Sequence, residues 1–146
     1  MVKPKNIERV DLQQFALAIL MVNKHYALQL RDNNPEISCP GMWGLFGGKI
    51  EKHEKPENAI VREIKEELDI ELKNHKFLWA EKEIDDQSGS VMQFWFFEAD
   101  ITRQWGRHCL LEGQDAKIFS FKELYNLKMP LLIKKNLEYH HNPSIQ

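Results

Sequence analysis

Apolar residues run from Phe15 to Val22, break at Asn23-Lys24-His25, and resume from Tyr26 in rough alternation. That pattern predicts a strand over Asp11–Val22, a turn, and a hairpin partner over Tyr26–Arg31. Arg31 to Gly41 reads as a polar loop, with Asn33-Asn34-Pro35 and Cys39-Pro40-Gly41 as breakers. Trp43–Phe46 and Gly48–Glu51 form short strands around a glycine turn. From Pro56 to Leu68 the pattern changes to helical spacing, with Ile60, Val61, Ile64 and Leu68 on one arc. Pro56 suits the first helical turn, where a missing N–H costs little. Ile70–Leu72 and Phe77–Glu83 read as strand segments. Asp85 to Ser90 is a turn, and Ser90–Ile101 a long aromatic strand that pairs back as an antiparallel hairpin. Gln104–Gln114 reads as loop, Ala116–Phe121 as strand, Phe121–Tyr125 as a short helix and Pro130–Tyr139 as the last helix. The tail His140-His141-Asn142-Pro143 has little to bury and is expected to be mobile. Strands and helices in this order predict an α/β domain, a mixed sheet covered by helices on both faces.

The helix over Pro56–Leu68 also carries acids. Glu63, Glu66 and Glu67 stand at i, i+3 and i+4, within an arc of roughly 100° and away from the apolar arc. Like charges at that spacing repel, so something must offset them. One offset is a hard divalent cation, which prefers carboxylate oxygens and joins them to phosphates. The other is a solvated acidic face held by ion pairs, with Arg62 next to Glu63 and four residues before Glu66.

The stretch upstream adds Trp43-Gly44-Leu45-Phe46-Gly47-Gly48-Lys49-Ile50-Glu51. A glycine pair between apolar residues lets backbone approach a ligand closely. Strand, glycine loop and helix start together present backbone groups to phosphates.

With Gly48, Glu54, Arg62, Glu63, Ile64, Glu66, Glu67 and Ile70 all in place, the stretch from 48 to 70 resembles the signature of the Nudix hydrolase family. The wider stretch from Trp43 to Ile70 looks most like its MutT branch, which shares the Gly-Gly-Lys-Ile-Glu run. Two positions depart from the family. Asp69 replaces a glycine just past the helix, where a left-handed backbone is wanted; aspartate tolerates that better than most residues. His53 stands in the loop where the family often has glycine, and a solvated loop histidine is the plainer reading of it. Neither departure removes a carboxylate.

The resemblance implies a Nudix-type α/β/α sandwich with a mixed central sheet. It implies hydrolysis of a diphosphate bond with Mg²⁺ as cofactor and Mn²⁺ as substitute. Glu63, Glu66 and Glu67 would bind metal, with the Gly48 carbonyl completing the shell. Arg62 would orient carboxylates, and Glu54 would brace the loop and the helix start. Many family members place the general base on a distant loop glutamate; here Glu112, in Leu111-Glu112-Gly113-Gln114, is the leading candidate, with Glu66 second. Against that stands a plain surface loop acid. Lys49 and Arg31 are candidates for phosphate contact, and Trp79 for stacking on a base. Phe94, Trp95, Phe96 and Phe97 should alternate across the sheet, two to each side, mostly as core.

Composition narrows the partners. The 146 residues fit one domain over the whole chain, with an ordered core from about residue 10 to 139. Net charge is −2, so no basic surface for a nucleic acid polymer is implied. A small nucleotide would then need a metal and a few Lys or Arg. Cys39 and Cys109 show neither metal-site spacing nor a disulfide framework, and reduced thiols in a cytoplasmic protein are the simplest reading. Met1–Val10 is too polar for a signal peptide, and Phe15–Val22 too short to span a membrane. Monomer and homodimer both stay open.

The substrate is less marked. The MutT-like stretch favours a nucleoside triphosphate, oxidised or not, split to monophosphate and pyrophosphate. The final helix opens Pro130-Leu131-Leu132, without the asparagine that MutT-like enzymes use there to read a purine. The proline typical of ADP-ribose hydrolases and the tyrosine typical of diadenosine polyphosphate hydrolases are also missing downstream of the motif. An NDP-sugar is the alternative substrate. A non-catalytic nucleotide-binding module and a structural domain with an acidic helix are the alternatives of other classes.

Overall fold

The computed structural model describes residues 12–144. The polar N-terminal segment, including Asp11 at the expected strand start, lies outside the described residues. In chain order the elements are β1 (Leu12–Val22), β2 (His25–Leu30), β3 (Trp43–Gly44), β4 (Phe46–Lys49), α1 (Pro56–Leu68), β5 (His75–Ile84), β6 (Val91–Asp100), β7 (Asp115–Phe119), a 3-10 turn (Lys122–Asn126) and α2 (Leu131–His141). The strands form one seven-stranded sheet in the order β3-β2-β1-β6-β5, with β4 added to β1 and β7 to β2. β1 and β6 pair in parallel and the other pairs are antiparallel, so the sheet is mixed, as expected.

Alternation along the strands divides the core into two layers. Ala16, Ala18, Leu20 and Val22 of β1 face α1, where they meet Ile60, Ile64 and Leu68 together with Phe97 and Ala99 of β6. Ile19 of β1 faces the other way, with Tyr26, Leu28, Phe96 and the α2 residues Ile133 and Leu137. The result is the α/β/α sandwich. The aromatic run of β6 splits two and two: Trp95 and Phe97 toward α1, Phe94 and Phe96 toward α2. The small alanines of β1 let α1 lie close to the sheet, which brings its carboxylates near β4.

The β1–β2 hairpin turns on Asn23 and Lys24, both at positive φ (49° and 64°), as a two-residue turn matching the strand twist requires. At the end of α1, Asp69 takes a left-handed backbone with φ 55°, and its N–H donates to the Lys65 carbonyl. His53 also sits at positive φ, 67°. Both departures from motif glycine therefore occupy backbone that glycine would adopt without strain.

Three expectations are corrected. Gly47 and Gly48 do not make a turn between two strands; both lie inside β4, paired to Leu17 and Ala16 of β1, and Leu45 alone separates β4 from β3. Ile70–Leu72 is not a strand; the chain leaves the left-handed cap and Ile70 and Leu72 bury into the α1-side core without joining a ladder. The start of the tail is not loose either. α2 runs on to His141, the His140 ring meets the Tyr26 hydroxyl at 2.9 Å, and the His141 ring stacks on Phe121 at 3.8 Å.

Gly47 shows how tightly β4 is laid on β1. Its φ is +140°, and a Cβ there would lie 2.1 Å from the Ala16 carbonyl oxygen. Nothing lies within 4 Å of a Cβ added at Gly44. Gly47→Ala should cost roughly 2–4 kcal/mol in urea unfolding, against less than about 0.5 kcal/mol for Gly44→Ala. Equal, small effects would show that β4 has slack against β1.

Candidate active site

The motif residues converge where α1 crosses β4. Arg62 is the hub on the outer side. Its Nε and Nη2 donate to the two oxygens of Glu54, each at 2.8 Å, a bidentate fork. Nη2 also donates to the Lys49 carbonyl at 3.1 Å. Nη1 reaches Glu63 at 2.9 Å and both oxygens of Glu66 at 3.3 Å. Glu54 in turn accepts from the Glu51 N–H at 3.1 Å. One guanidinium thus ties the loop before α1 to the acids on it. The Arg62 fork holds the Glu54 carboxyl down at about 2, and the same bonds push the Arg62 pKa up.

The inner side is different. Glu67 is only 2% exposed, although it carries a carboxylate. Its Oε1 accepts from the Gly47 N–H at 2.8 Å. Burial pushes its pKa up to about 8, the nearby charges of Glu63 and Glu112 add to the rise, and the Gly47 N–H opposes it. Glu63 is raised too, mainly by burial, with Arg62 opposing and Glu66 and Glu112 reinforcing. The Glu63 carboxylate lies directly over Gly48: a Cβ at Gly48 would stand 2.6 Å from its Cδ. Only glycine leaves that space.

Glu112 arrives on the loop after β6. Cys109 N–H donates to the Leu68 carbonyl at 2.9 Å and Leu111 N–H to the Glu67 carbonyl at 2.8 Å, docking the loop on the last turn of α1. On the strand side the Gln29 side chain donates to the Glu112 carbonyl at 3.0 Å. The structure therefore brings Gly48, Glu54, Arg62, Glu63, Glu66, Glu67 and Glu112 together. Among the described residues no three His, Cys, Asp or Glu are arranged so that, as they stand, they could hold a metal ion between them. Glu63 and Glu66 lean on Arg62 while Glu67 turns inward to Gly47.

A cleft of about 400 Å³ opens beside Glu112, lined by Gln29, Arg31, Asp32, Ile37 and Leu111. Arg31 stands in its wall, with its Nε donating to the Ser38 carbonyl at 2.9 Å. A larger concavity, about 1000 Å³, lies between the β1–β2 turn, residues 69–74 after α1 and residues 99–107, and holds none of these glutamates. Chemistry, not size, marks the smaller cleft. Lys49 is exposed at the end of β4. Trp79 stands apart from the cluster, on the α2 face, with its indole N–H donating to Asn136 Oδ1 at 2.8 Å and its ring edge-on to Tyr139.

Sequence reasoning passed over Gln29. An uncharged amide at the inward phase of an apolar strand, two residues after Ala27, was the available signal.

A family model described as the NUDIX domain matches residues 12–139. This chain belongs to the NUDIX family. It is 32% identical over 133 residues to the ADP-ribose pyrophosphatase of Methanocaldococcus jannaschii, covering 84% of this chain and 74% of that protein. Among solved structures it is similar to a MutT NUDIX hydrolase from Burkholderia pseudomallei, at 26% identity and a TM-score of 0.74 over 88% of this chain and 97% of that one. The NUDIX domain of Shewanella oneidensis NrtR, solved with ADP ribose, shares the fold at 17% identity, with a TM-score of 0.72 over 97% and 93% of the two chains. This NUDIX protein is a pyrophosphohydrolase. Among its described residues no helix is long and apolar enough to cross a membrane.

The Arg62–Glu54 fork generates a pH prediction. Glu54 falls from its ordinary 4.5 to about 2 on folding. A lowered folded pKa gives stability that is complete above the unfolded value and is lost as pH falls through the folded one. Urea unfolding of Glu54→Gln should therefore show a flatter acid limb than wild type between those pH values. An equally steep loss in both proteins would contradict the ion pair.

Proposed function

We propose that this NUDIX protein hydrolyses the diphosphate bond of a nucleoside diphosphate linked to another moiety, with Mg²⁺ as cofactor and Mn²⁺ able to replace it. The observation that carries the reading is a mutually repelling set of acids beside Gly47 and Gly48 of β4: the buried Glu67, the half-buried Glu63 and the exposed Glu112. Arg62 faces its outer side and is already matched by Glu54. Hard oxygen donors with too little positive charge between them fit a divalent cation. A cation there would also lower the raised pKa values of Glu63 and Glu67.

In this reading Glu63, Glu66, Glu67 and the Gly48 carbonyl hold the metal. When bound, the ion neutralises phosphate oxygens and makes water a better nucleophile. The chain's own groups do the rest. Arg62 and Glu54 fix the α1 acids and the loop before them. Glu112 takes the proton as a water oxygen bonds to phosphorus and the bridging P–O bond breaks; Glu66 is the second candidate base. Arg31, in the cleft wall, and Lys49, at the end of β4, meet phosphate charge. Trp79 is the weakest of the proposed substrate contacts, since it faces α2. The domain is one unit over the full chain and acts in the cytoplasm, as monomer or homodimer.

For the substrate, a nucleoside triphosphate, split to monophosphate and pyrophosphate, is the first reading. The MutT-like stretch and the 26% likeness to a MutT NUDIX hydrolase support it. An NDP-sugar of the ADP-ribose kind is the second, supported by the relative at 32% identity and by the missing purine-reading asparagine at the start of α2.

A product-resolved screen of nucleoside triphosphates, NDP-sugars, ADP-ribose and dinucleoside polyphosphates with Mg²⁺ tests this. Metal-dependent release of a nucleoside monophosphate is expected, and no turnover of any class would refute it. Glu67→Gln should abolish turnover with the fold intact by circular dichroism. Glu112→Gln should slow it by about 10²-fold or more, as loss of a general base does. A Glu67→Gln enzyme near wild-type rate would remove the metal assignment.

A further inference from the structure

Gln29 is one of three buried polar or charged side chains among the described residues, with Glu67 and Asn136. A buried amide costs free energy unless its donors are used. Its Nε2 is spent on the Glu112 carbonyl at 3.0 Å, on the loop that the Leu111 N–H ties to the Glu67 carbonyl. The next residue, Gly113, has φ +86°, and a Cβ there would lie 2.9 Å from both Cγ and Nε2 of Gln29. The loop main chain is thus packed directly onto this one side chain. Beyond it, Gln114 N–H donates to the Leu30 carbonyl and Gln114 Nε2 to the Arg31 carbonyl, each at 2.8 Å. On the opposite side Leu111 N–H holds the Glu67 carbonyl. Glu112 is therefore slung between α1 and β2. The Gln29 amide is the side-chain tie that meets its own peptide unit.

We infer that Gln29 is a positioning residue: it sets the Glu112 carboxylate relative to Glu67 by holding the Glu112–Gly113 turn. The inference rests on the proposed role of Glu112 in proton transfer. A neutral amide suits the task, because it ties the loop without adding charge to an already acidic centre. Its effect should fall on the chemical step and not on binding, since the tie is to loop backbone.

The test compares Gln29→Met, Glu112→Gln and the double variant, with GTP and ADP-ribose as probe substrates in Mg²⁺. Methionine keeps the length and removes the N–H donor. Gln29→Met should lower kcat about tenfold, the loss of roughly one buried hydrogen bond, with KM within about twofold. It should cost nothing further in the Glu112→Gln background. In the metal-free protein, amide hydrogen exchange over residues 109–114 should quicken. Gly113→Ala, whose Cβ would press on Gln29 and on the Leu30 carbonyl at a positive φ, should also lower kcat and covers the case in which the methionine variant does not fold. Gln29→Met at wild-type rate beside a slow Glu112→Gln would overturn this inference alone, as would a full multiplicative loss in the double variant. Glu112→Gln at wild-type rate beside a dead Glu67→Gln would remove the role of Glu112 and this inference with it, leaving the metal site standing.

Discussion

A carboxylate buried against a single backbone N–H is the constraint that the site depends on. Glu67 gives up water for the Gly47 N–H and little else. Burial and two neighbouring acids make its charged form costly. That arrangement is unfavourable in isolation and becomes favourable when a cation is supplied. The fold makes room for it by narrow means. Alanines on β1 bring α1 close, Gly47 lets β4 lie on the Ala16 carbonyl, and Gly48 leaves space for the Glu63 carboxylate.

The two sides of the acidic helix do different work. On the outside, Arg62 draws Glu54, Glu63, Glu66 and the Lys49 carbonyl into one network, so the helix and its entry loop hold a fixed relation. On the inside, the loop carrying Glu112 is latched to the last turn of α1 and to the end of β2. The rigid sheet and helix supply the platform, and the loop supplies an acid that no regular element could place there.

Much of this was legible in the residues. Helical spacing gave α1 its observed bounds, because Pro56 starts it and Asp69 ends it in a left-handed turn. The β6 aromatics split as strand alternation demands. The spacing of Glu63, Glu66 and Glu67 placed acids on one arc, but not their different fates. Whether a carboxylate meets Arg62 or Gly47 depends on what α1 packs against, and that is a tertiary fact. Ile70 and Leu72 misled for a related reason: apolar residues bury without joining a ladder when the preceding cap turns the chain inward. Gln29 stands out in sequence only as an amide at an inward strand position; its partner, the Glu112 carbonyl, lies 83 residues away, so its role is a tertiary fact. His140 and His141 read as a loose polar tail, yet their rings close the α2 end against Tyr26 and Phe121.

In the proposed site Glu63, Glu66, Glu67 and the Gly48 carbonyl close on a divalent cation, with Glu63, Glu67 and Gly48 at its centre. Anomalous diffraction from crystals soaked in Mn²⁺ reads this directly. A peak between Glu63, Glu67 and the Gly48 carbonyl is expected, with the Glu63 carboxylate swung from Arg62 toward the metal. A peak elsewhere, or none at saturating Mn²⁺ with Glu67 still closed on Gly47, would contradict it.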